Sequence, residues 1–244
     1  MPALSPLEAG PTQHTPASAG LLGANSQDGV LVHIQVWSDV ICPWCYIGKR
    51  RLELALAEFP GDVTVTFRAF QLDPAPVPHP VPIKEALAAK FGGRERAEQM
   101  FAHVTALAAA DGLRLDFGRA ILANTFDSHR LIAWAAEQGR QADMLDALQR
   151  AHFADGVDLG SIPALAWLAG LLGLDSNAAL SYLASEAGTE SVNADLAGAH
   201  EFGITSVPTF VIDGRYAVQG AQEPATLLSA LAEVARREGV DADQ

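Results

Sequence analysis

Two cysteines, Cys42 and Cys45, are the only thiols in a chain of 244 residues, and Pro43 and Trp44 lie between them. Proline suits the first position of a helix, because its missing N–H would have no partner there. Cys42 is therefore predicted to cap a helix, where unpaired backbone N–H groups and the helix dipole stabilise a thiolate. Cys45 lies on the same helical face and can reach back to form a disulfide. We expect Cys42 to be exposed and activated, and the pair to be a redox dithiol.

The cysteines of a CxxC pair can also be buried packing residues or zinc ligands, but both roles have less support here. A free cysteine can be a small buried apolar residue, and a zinc site needs two further ligands at matching spacing. The histidines, such as His33, His129 and His200, are scattered, and none forms an HxxxH-like pair. We therefore predict no metal and no bound cofactor.

The composition disfavours several classes of partner. Hydrophobic residues make up 49% of the chain, charged residues make up 18%, and the formal net charge is −13. Such a charge disfavours nucleic acid, whose phosphates are neutralised by Lys and Arg, and anionic membrane surfaces. No apolar run reaches the roughly 18 residues that span a bilayer. We predict a protein without nucleic-acid or membrane partners.

Residues 1–29 are rich in Pro, Ala, Gly and Ser and contain no Lys or Arg. A secretory signal needs a basic start and a continuous apolar stretch, so we predict a disordered N-terminal tail instead. The expected location is cytoplasmic. In that reducing compartment a lone CxxC indicates redox catalysis more than a structural disulfide.

The periodicity of the remaining chain predicts an α/β protein. Residues 31–39 and 63–70 are predicted strands, and the helix that starts at the CPWC joins them into a βαβ unit. Five prolines between residues 72 and 82 mark a boundary, because proline disrupts helix and sheet interiors. The pattern is then almost wholly helical. The last predicted elements are a helix at 189–202, strands at 209–212 and 215–218 around a type I′ turn, and a helix from Pro224.

This order of elements resembles a thioredoxin fold with a large all-helical domain inserted between its βαβ and ββα halves. We therefore expect a thioredoxin-fold domain at 30–73 and 196–240, and a helical insertion domain at 74–195. In the thioredoxin superfamily a cis proline stands opposite the dithiol, and Val207-Pro208-Thr209 has the matching context.

Four segments extend the resemblance across residues 31–236: WSDVICPWCYIGKRRLE, FRAFQLDP, NTFDSHRLIAWA and GITSVPTFVIDGRYAVQGAQ. Together they resemble the FrnE-like branch of the DsbA family. The resemblance implies a thiol–disulfide oxidoreductase or isomerase, with Cys42 as the attacking thiol, Cys45 as the resolving thiol and Pro208 as the cis proline. The expected partners are cysteine-containing proteins and a low-molecular-weight thiol or thioredoxin-like reductant, with glutathione as a possible co-substrate.

The residues expected to contact substrate are Pro43, Trp44 and Val207. Trp44 departs from DsbA itself, which has histidine between its cysteines, and an indole cannot supply the charge that helps to hold a thiolate. Asp39 could tune the Cys42 thiol or bond nearby backbone. His129 could face either the core of the insertion or the groove above the dithiol.

Two other functions stay open at this point. The same architecture occurs in 2-hydroxychromene-2-carboxylate isomerases and kappa-class glutathione transferases, which act with glutathione on small molecules. Those relatives typically have serine at the position of Cys42, so the dithiol favours redox work. The second alternative is a holdase-like protein that binds client chains without turnover.

Overall fold

The computed structural model describes residues 5–6, 31–88 and 90–242. The strands are β1 (Ser5–Pro6), β2 (Val32–Ser38), β3 (Val63–Ala69), β4 (Val81–Pro82), β5 (Ile121–Leu122), β6 (Thr209–Ile212) and β7 (Tyr216–Gln219). The helices are α1 (Pro43–Glu58), α2 (Ile83–Ala88), α3 (Arg94–Ala110), α4 (Phe126–Ala136), α5 (Gln141–Arg150), α6 (Ile162–Leu171), α7 (Ser176–Ala184), α8 (Thr189–Glu201) and α9 (Pro224–Ala242), with a π-helical turn at Ala151–Asp155.

The predicted thioredoxin halves meet in one sheet, with strand order β1-β7-β6-β2-β3. Strands β2 and β3 are parallel and in register from Val32 opposite Val63 to Ser38 opposite Ala69. Strand β2 precedes α1 in the sequence and β3 follows it, as the βαβ pattern predicts. Strand β6 pairs antiparallel with both β2 and β7. Strand β2 lies in the interior of the sheet, between β6 and β3. The dithiol at the start of α1 comes shortly after the end of this strand.

The hairpin between β6 and β7 turns where the sequence predicts it. Asp213 and Gly214 both have positive φ, 50° and 66°, and the Arg215 N–H bonds the Ile212 carbonyl at 3.1 Å. Aspartate adopts this left-handed conformation more readily than most residues. The Asp213 side chain accepts a hydrogen bond from the N–H of His33, on the distant strand β2, at 2.7 Å.

The helical insertion shares one hydrophobic core with the sheet. Buried side chains from both parts belong to the same cluster, among them Ile34, Val36, Phe67 and Phe210 from the strands and Leu131, Met144, Leu148 and Leu165 from the insertion helices. A second cluster joins Tyr46 and Ile47 of α1 to Phe101 and Val104 of α3. The predicted thioredoxin fold with a helical insertion is confirmed, and the domain boundaries stay a prediction.

Three local features differ from the sequence-based expectations. Pro82 lies in a strand, because β4 is a two-residue strand that pairs only with β5 among the described residues, and proline is tolerated at a sheet edge. The π-helical turn has no counterpart in the predicted elements. Ser5–Pro6 pair with β7, whose edge offers unpaired backbone groups, so these two residues are not part of a disordered tail. The other residues of that predicted tail lie outside the described residues.

Within the part of the chain that the structure describes, no helix is long and apolar enough to cross a membrane.

Candidate active site

Cys42 is the N-terminal cap of α1, as predicted. Its backbone is extended (φ −87°, ψ 113°), and Pro43 occupies the start of the helix. The Cys42 sulfur accepts a hydrogen bond from the Cys45 N–H at 3.4 Å. Backbone N–H groups at a helix start favour a negative charge. The local chain therefore directs a donor at the sulfur that is predicted to react.

Both cysteines are free thiols and both are buried, Cys42 with 3% of its surface exposed and Cys45 with 1%. The expectation that Cys42 is exposed is wrong. The helix cap is covered by a part of the chain that is distant in sequence. This is the loop before β6, where the Val207 carbonyl accepts a hydrogen bond from the Cys42 thiol at 3.8 Å. Insertion residues around Phe101 pack in turn against Trp44, two residues further along the chain.

The Cys45 thiol is held in its protonated form. Burial raises the pKa of Cys45 well above its usual value, and the hydrogen bond and charge of Cys42 raise it further. A backbone hydrogen bond at Asp39 acts in the opposite direction. Since only a thiolate attacks a disulfide, Cys45 must lose a proton in the interior before it can react.

The loop that carries Pro208 lies directly over α1. The Val207–Pro208 bond is cis, as the resemblance implies. A Cβ built on Gly48 would lie 2.7 Å from Pro208 Cγ and 3.3 Å from Phe210 Cζ, so glycine permits this close approach. Thr209 Oγ1 donates to the Ser206 carbonyl at 2.7 Å and closes the loop. Pro208 and the Val207 carbonyl thus stand beside the dithiol.

Trp44 is half-buried between the dithiol helix and the insertion. Its ring lies 6.4 Å from that of His103 on α3, with an interplanar angle of 55°, and it packs against the cluster that contains Phe101 and Phe117. The exposed part of the indole can contact a substrate beside Cys42. The role of Trp44 in substrate binding stays a prediction.

Asp39 and His129, both singled out in the sequence, form a buried polar pair near the dithiol. Asp39 is fully buried, and its Oδ2 accepts a hydrogen bond from the Leu72 N–H at 2.8 Å. His129, from α4, has Nε2 3.0 Å from the Phe70 carbonyl and 3.4 Å from Asp39 Oδ1. His129 therefore faces the sheet and Asp39. The FRAFQLDP and NTFDSHRL segments meet at this point.

His152, on the π-helical turn, has no motif around it that marks it in the sequence. It is completely buried, and neither ring nitrogen has a hydrogen-bond partner among the described residues. Burial lowers the pKa of His152 to about 4, although the charge of Asp39 acts in the opposite direction. The imidazole is consequently neutral at pH 7. No group of three or more His, Cys, Asp and Glu in the described part of the chain could hold a metal ion.

All three cations after the dithiol have partners, and the partly exposed Arg50 bonds the Asp111 carbonyl at 3.3 Å and Glu53 at 3.5 Å. Lys49 is buried and pairs with Glu53 and Asp146. Arg51 is also buried, and it bonds Asp111 at 2.7 Å and the Ala221 carbonyl at 2.8 Å. Lys49 and Arg51 therefore attach α1 to α5, to the end of α3 and to the chain before α9.

The site as a whole has a capped, buried dithiol, a cis proline beside it and a carboxylate behind it. A family model for the DSBA-like thioredoxin domain matches residues 33–244. The chain belongs to the DsbA-like family of thioredoxin domains. Members of this family are thiol–disulfide oxidoreductases, which agrees with the dithiol geometry.

Three proteins illustrate how similar this DsbA-like protein is to known relatives in sequence and structure. The crystal structure of a probable DsbA oxidoreductase, SCO1869 from Streptomyces coelicolor, is 39% identical with a TM-score of 0.79, and the match covers 83% of this chain and 89% of that one. The uncharacterized protein YwbO of Bacillus subtilis is 28% identical over 78% of this chain and 90% of its own length. The cytosolic disulfide reductase DsbM of Pseudomonas aeruginosa is 24% identical with a TM-score of 0.58, over 84% and 98% of the two chains, and shares the fold.

Proposed function

We propose that this DsbA-like protein is a dithiol–disulfide oxidoreductase of the FrnE-like branch that acts on disulfides in protein substrates. The observation that carries the proposal is the position of Cys42. Cys42 caps α1. Its sulfur accepts a hydrogen bond from the Cys45 N–H at 3.4 Å and lies 3.8 Å from the Val207 carbonyl oxygen. The Cys45 N–H thus favours the Cys42 thiolate, and the adjoining loop places backbone groups where an extended peptide could pair with them, a form of β-augmentation.

The proposed reaction has two steps. The Cys42 thiolate attacks one sulfur of a substrate disulfide, a Cys42–substrate bond forms, and the other substrate sulfur leaves as a thiolate. Cys45, once deprotonated, attacks the Cys42 sulfur, so that the mixed disulfide breaks and the Cys42–Cys45 disulfide forms. The substrate is reduced by two electrons and the dithiol is oxidised by two. Run backwards, the same steps oxidise a substrate. Attack of a different substrate thiolate on the Cys42–substrate disulfide forms a new substrate disulfide, releases the Cys42 thiolate and so isomerises the substrate.

We propose the reducing direction, in the cytoplasm, with a low-molecular-weight thiol such as glutathione or a thioredoxin-like protein to restore the dithiol. A single CxxC with no further cysteines suits turnover in a reducing compartment. The absence of a histidine between the cysteines also favours this direction. Trp44 supplies no charge there, so the Cys42 thiolate is less stabilised than in DsbA and the disulfide is a weaker oxidant.

The test compares two variants that differ only in which thiol is lost. Wild-type protein should reduce insulin with glutathione present. Cys42→Ser should be inactive and form no mixed disulfide, whereas Cys45→Ser should be inactive but accumulate a mixed disulfide through Cys42. Measurement of the reduction potential against a glutathione buffer then gives the preferred direction.

The same variants separate the other two functions. A glutathione-dependent isomerase or transferase of the 2-hydroxychromene-2-carboxylate isomerase or kappa type should retain its activity in Cys42→Ser. A holdase-like protein should suppress aggregation of a client equally well with both cysteines replaced. Insulin reduction that persists in Cys42→Ser would refute the proposed function.

A further inference from the structure

Strand β3 forms one edge of the sheet and pairs only with β2 among the described strands. In a parallel pair, successive residues direct their backbone N–H and C=O groups alternately toward the partner strand and away from it. The Asp62 carbonyl accepts the Val32 N–H at 3.0 Å, and the Phe70 N–H donates to the Ser38 carbonyl at 3.1 Å. Even-numbered residues along β3 therefore face β2, and odd-numbered residues face away from the sheet.

The second half of this outer edge is paired by two side chains of the helical insertion. Gln141 of α5 accepts the Phe67 N–H through Oε1 and donates to the Phe67 carbonyl through Nε2, both at 3.0 Å. The side-chain amide thus pairs with Phe67 as a peptide unit of a neighbouring strand would. Asp195 of α8 accepts the Ala69 N–H at 2.9 Å. This edge is therefore able to bind polar groups that come from outside the sheet.

The first half of the same edge is open. The outward backbone groups of Val63 and Val65 have no hydrogen-bond partner within the part of the chain that the structure describes. The side chains of both valines pack against the main hydrophobic core, so the strand is held in place while its edge is open. Proteins usually protect such an edge with a charge, a proline or a bulge, because it is a template for another extended chain. Residues 63–66 are Val-Thr-Val-Thr, a sequence of high β-propensity with neither a charge nor a proline.

The open edge lies in an acidic groove. A cavity of about 1300 Å³ follows β3 along its length and is also lined by α4, α5 and α8, and this volume exceeds the roughly 300–1,000 Å³ of a typical small-molecule site. The carboxylates that line it are those of Asp62, Glu137, Asp143, Glu190 and Asp195. Arg68, the single Lys or Arg among the lining residues, is already paired with Asp195 at 3.1 Å, and Asp143 is paired with Arg140. The other three carboxylates are exposed and have no ion-pair partner among the described residues.

Charge and backbone chemistry together select the occupant. An extended polypeptide carries N–H and C=O groups at the spacing that Val63 and Val65 require, and Lys or Arg side chains on it would complement the exposed carboxylates. Residues 7–30 of this chain contain no Lys or Arg. A second copy paired through β3 would bring two acidic grooves together. Neither of these occupants supplies the positive charge that the groove requires.

We propose that an extended segment of a partner protein, rich in Lys or Arg, adds to β3 as a further strand. Its backbone pairs with Val63 and Val65, and its basic side chains lie near the exposed carboxylates of the groove. Gln141 marks the end of the site, because it already pairs with the next outward residue, Phe67. The dithiol and the proline loop are not among the residues that line the groove, so this proposal does not depend on the proposed function.

The experiment measures binding of a fluorescein-labelled peptide to the full chain by fluorescence anisotropy. The parent peptide has eight residues, alternating Lys and Val, and no cysteine. Two further peptides carry N-methyl groups on the backbone nitrogens of either all Lys or all Val residues, and in a bound strand only one of these two sets faces β3. One methylated peptide should bind at least about tenfold more weakly than the parent, and the other within about twofold. Equal loss in both would mean that the peptide does not bind as a strand, and would overturn the proposal.

A substitution on the strand tests the same hydrogen bonds from the side of the protein. Val65→Pro removes the outward N–H and leaves the bonds to β2 intact, because proline is tolerated in an edge strand where its nitrogen faces away from the sheet. The parent peptide should bind this variant about tenfold more weakly. Val65→Thr keeps both the N–H and the β-branched shape, and should bind within about twofold of the wild type. Wild-type affinity in a folded Val65→Pro would overturn the proposal, and if that variant does not fold, the methylated peptides still decide the question.

A change of charge tests the choice of partner. The double variant Glu137→Gln and Glu190→Gln should weaken binding of the parent peptide by about fivefold at low salt, and the difference should shrink as salt is added. Glu201→Gln is the matched control, since Glu201 is exposed on the same helix α8 but lies outside the groove, and it should leave binding unchanged. Equal binding of a peptide with Glu in place of Lys would overturn the proposal. A wild-type dimer that Val65→Pro abolishes would also overturn it, because a second copy would then occupy the edge.

Discussion

Replacement of Gly48 by alanine tests how closely the proline loop must approach the dithiol helix. A Cβ at this position would lie 2.7 Å from Pro208 Cγ and 3.4 Å from Pro208 Cβ. Carbon atoms in good contact are about 3.5–4.0 Å apart, so Pro208 or the helix must move by roughly 0.8 Å. The loop carries the Val207 carbonyl, which lies 3.8 Å from the Cys42 sulfur.

The expected change in stability is the sum of two opposing effects. Alanine in a helix interior is favoured over glycine by about 1 kcal/mol. Overpacking a filled site costs about 1–3 kcal/mol. Because the contact is with a proline ring and not with the end of a flexible side chain, we expect the overpacking cost to be larger. The free energy of unfolding should fall by about 1 kcal/mol.

Gly198 provides the matched control in α8. A Cβ there would lie 3.8 Å from Trp37 Cζ2, an ordinary contact. Gly198→Ala should therefore raise the free energy of unfolding by about 0.5–1 kcal/mol. Urea unfolding of the two variants should thus give changes of opposite sign. Insulin reduction should fall by about tenfold or more in Gly48→Ala alone, because a displacement near 1 Å can cost up to about a hundredfold.

The result that contradicts this reasoning is a Gly48→Ala variant with the stability and the activity of Gly198→Ala. Such a result would mean that the proline loop adjusts freely and that its position beside the dithiol does not limit the reaction. Loss of activity without loss of stability would instead show that the loop moves at little energetic cost and that its position still matters.

The remaining predictions concern the titration and reactivity of the site. His152 is neutral in the folded protein because its pKa is lowered from 6.5 to about 4, so the unfolded chain binds the extra proton first and stability should fall between about pH 6.5 and pH 4, by up to about 3 kcal/mol. Urea unfolding across this range should show a smaller loss in His152→Leu. Alkylation at neutral pH should label Cys42 before Cys45, whose pKa is raised by burial, and labelling of Cys45 first would contradict the roles given to the two thiols. Trp44→His should make the Cys42–Cys45 disulfide a stronger oxidant against a glutathione buffer, since an imidazolium stabilises the thiolate, and an unchanged potential would show that position 44 does not set it.

The features that the sequence predicts well are those fixed by local physics. A proline after Cys42 starts the helix, two apolar strands flank it, and Asp213-Gly214 turns the last hairpin. The burial of Cys42 could not be predicted this way, because the loop that contacts it at Val207 lies 165 residues away in the sequence. Local patterns contain no information on what covers a helix start.

The proximity of Asp39 and His129 could not be predicted from local patterns either. Asp39 stands out because it precedes the CPWC, and His129 because it lies in a motif, but their proximity depends on how α4 packs on the sheet. A signal does exist in the FRAFQLDP and NTFDSHRL segments, which carry polar residues at element ends. Gln71 Nε2 bonds Asn124 Oδ1 at 3.3 Å where these segments meet. Periodicity alone could not pair them.

The helical insertion contributes side chains to the candidate site. A short linker in place of residues 74–195 would remove the packing partners of strand residues such as Val36 and Phe67, which share their core with the insertion helices. The insertion also contributes His103 beside Trp44 and His129 beside Asp39. The thioredoxin halves thus supply the sulfurs and the proline loop, and the insertion packs against the neighbouring side chains Trp44 and Asp39. Two chains with the same CPWC could therefore differ in rate and direction through changes in the insertion alone.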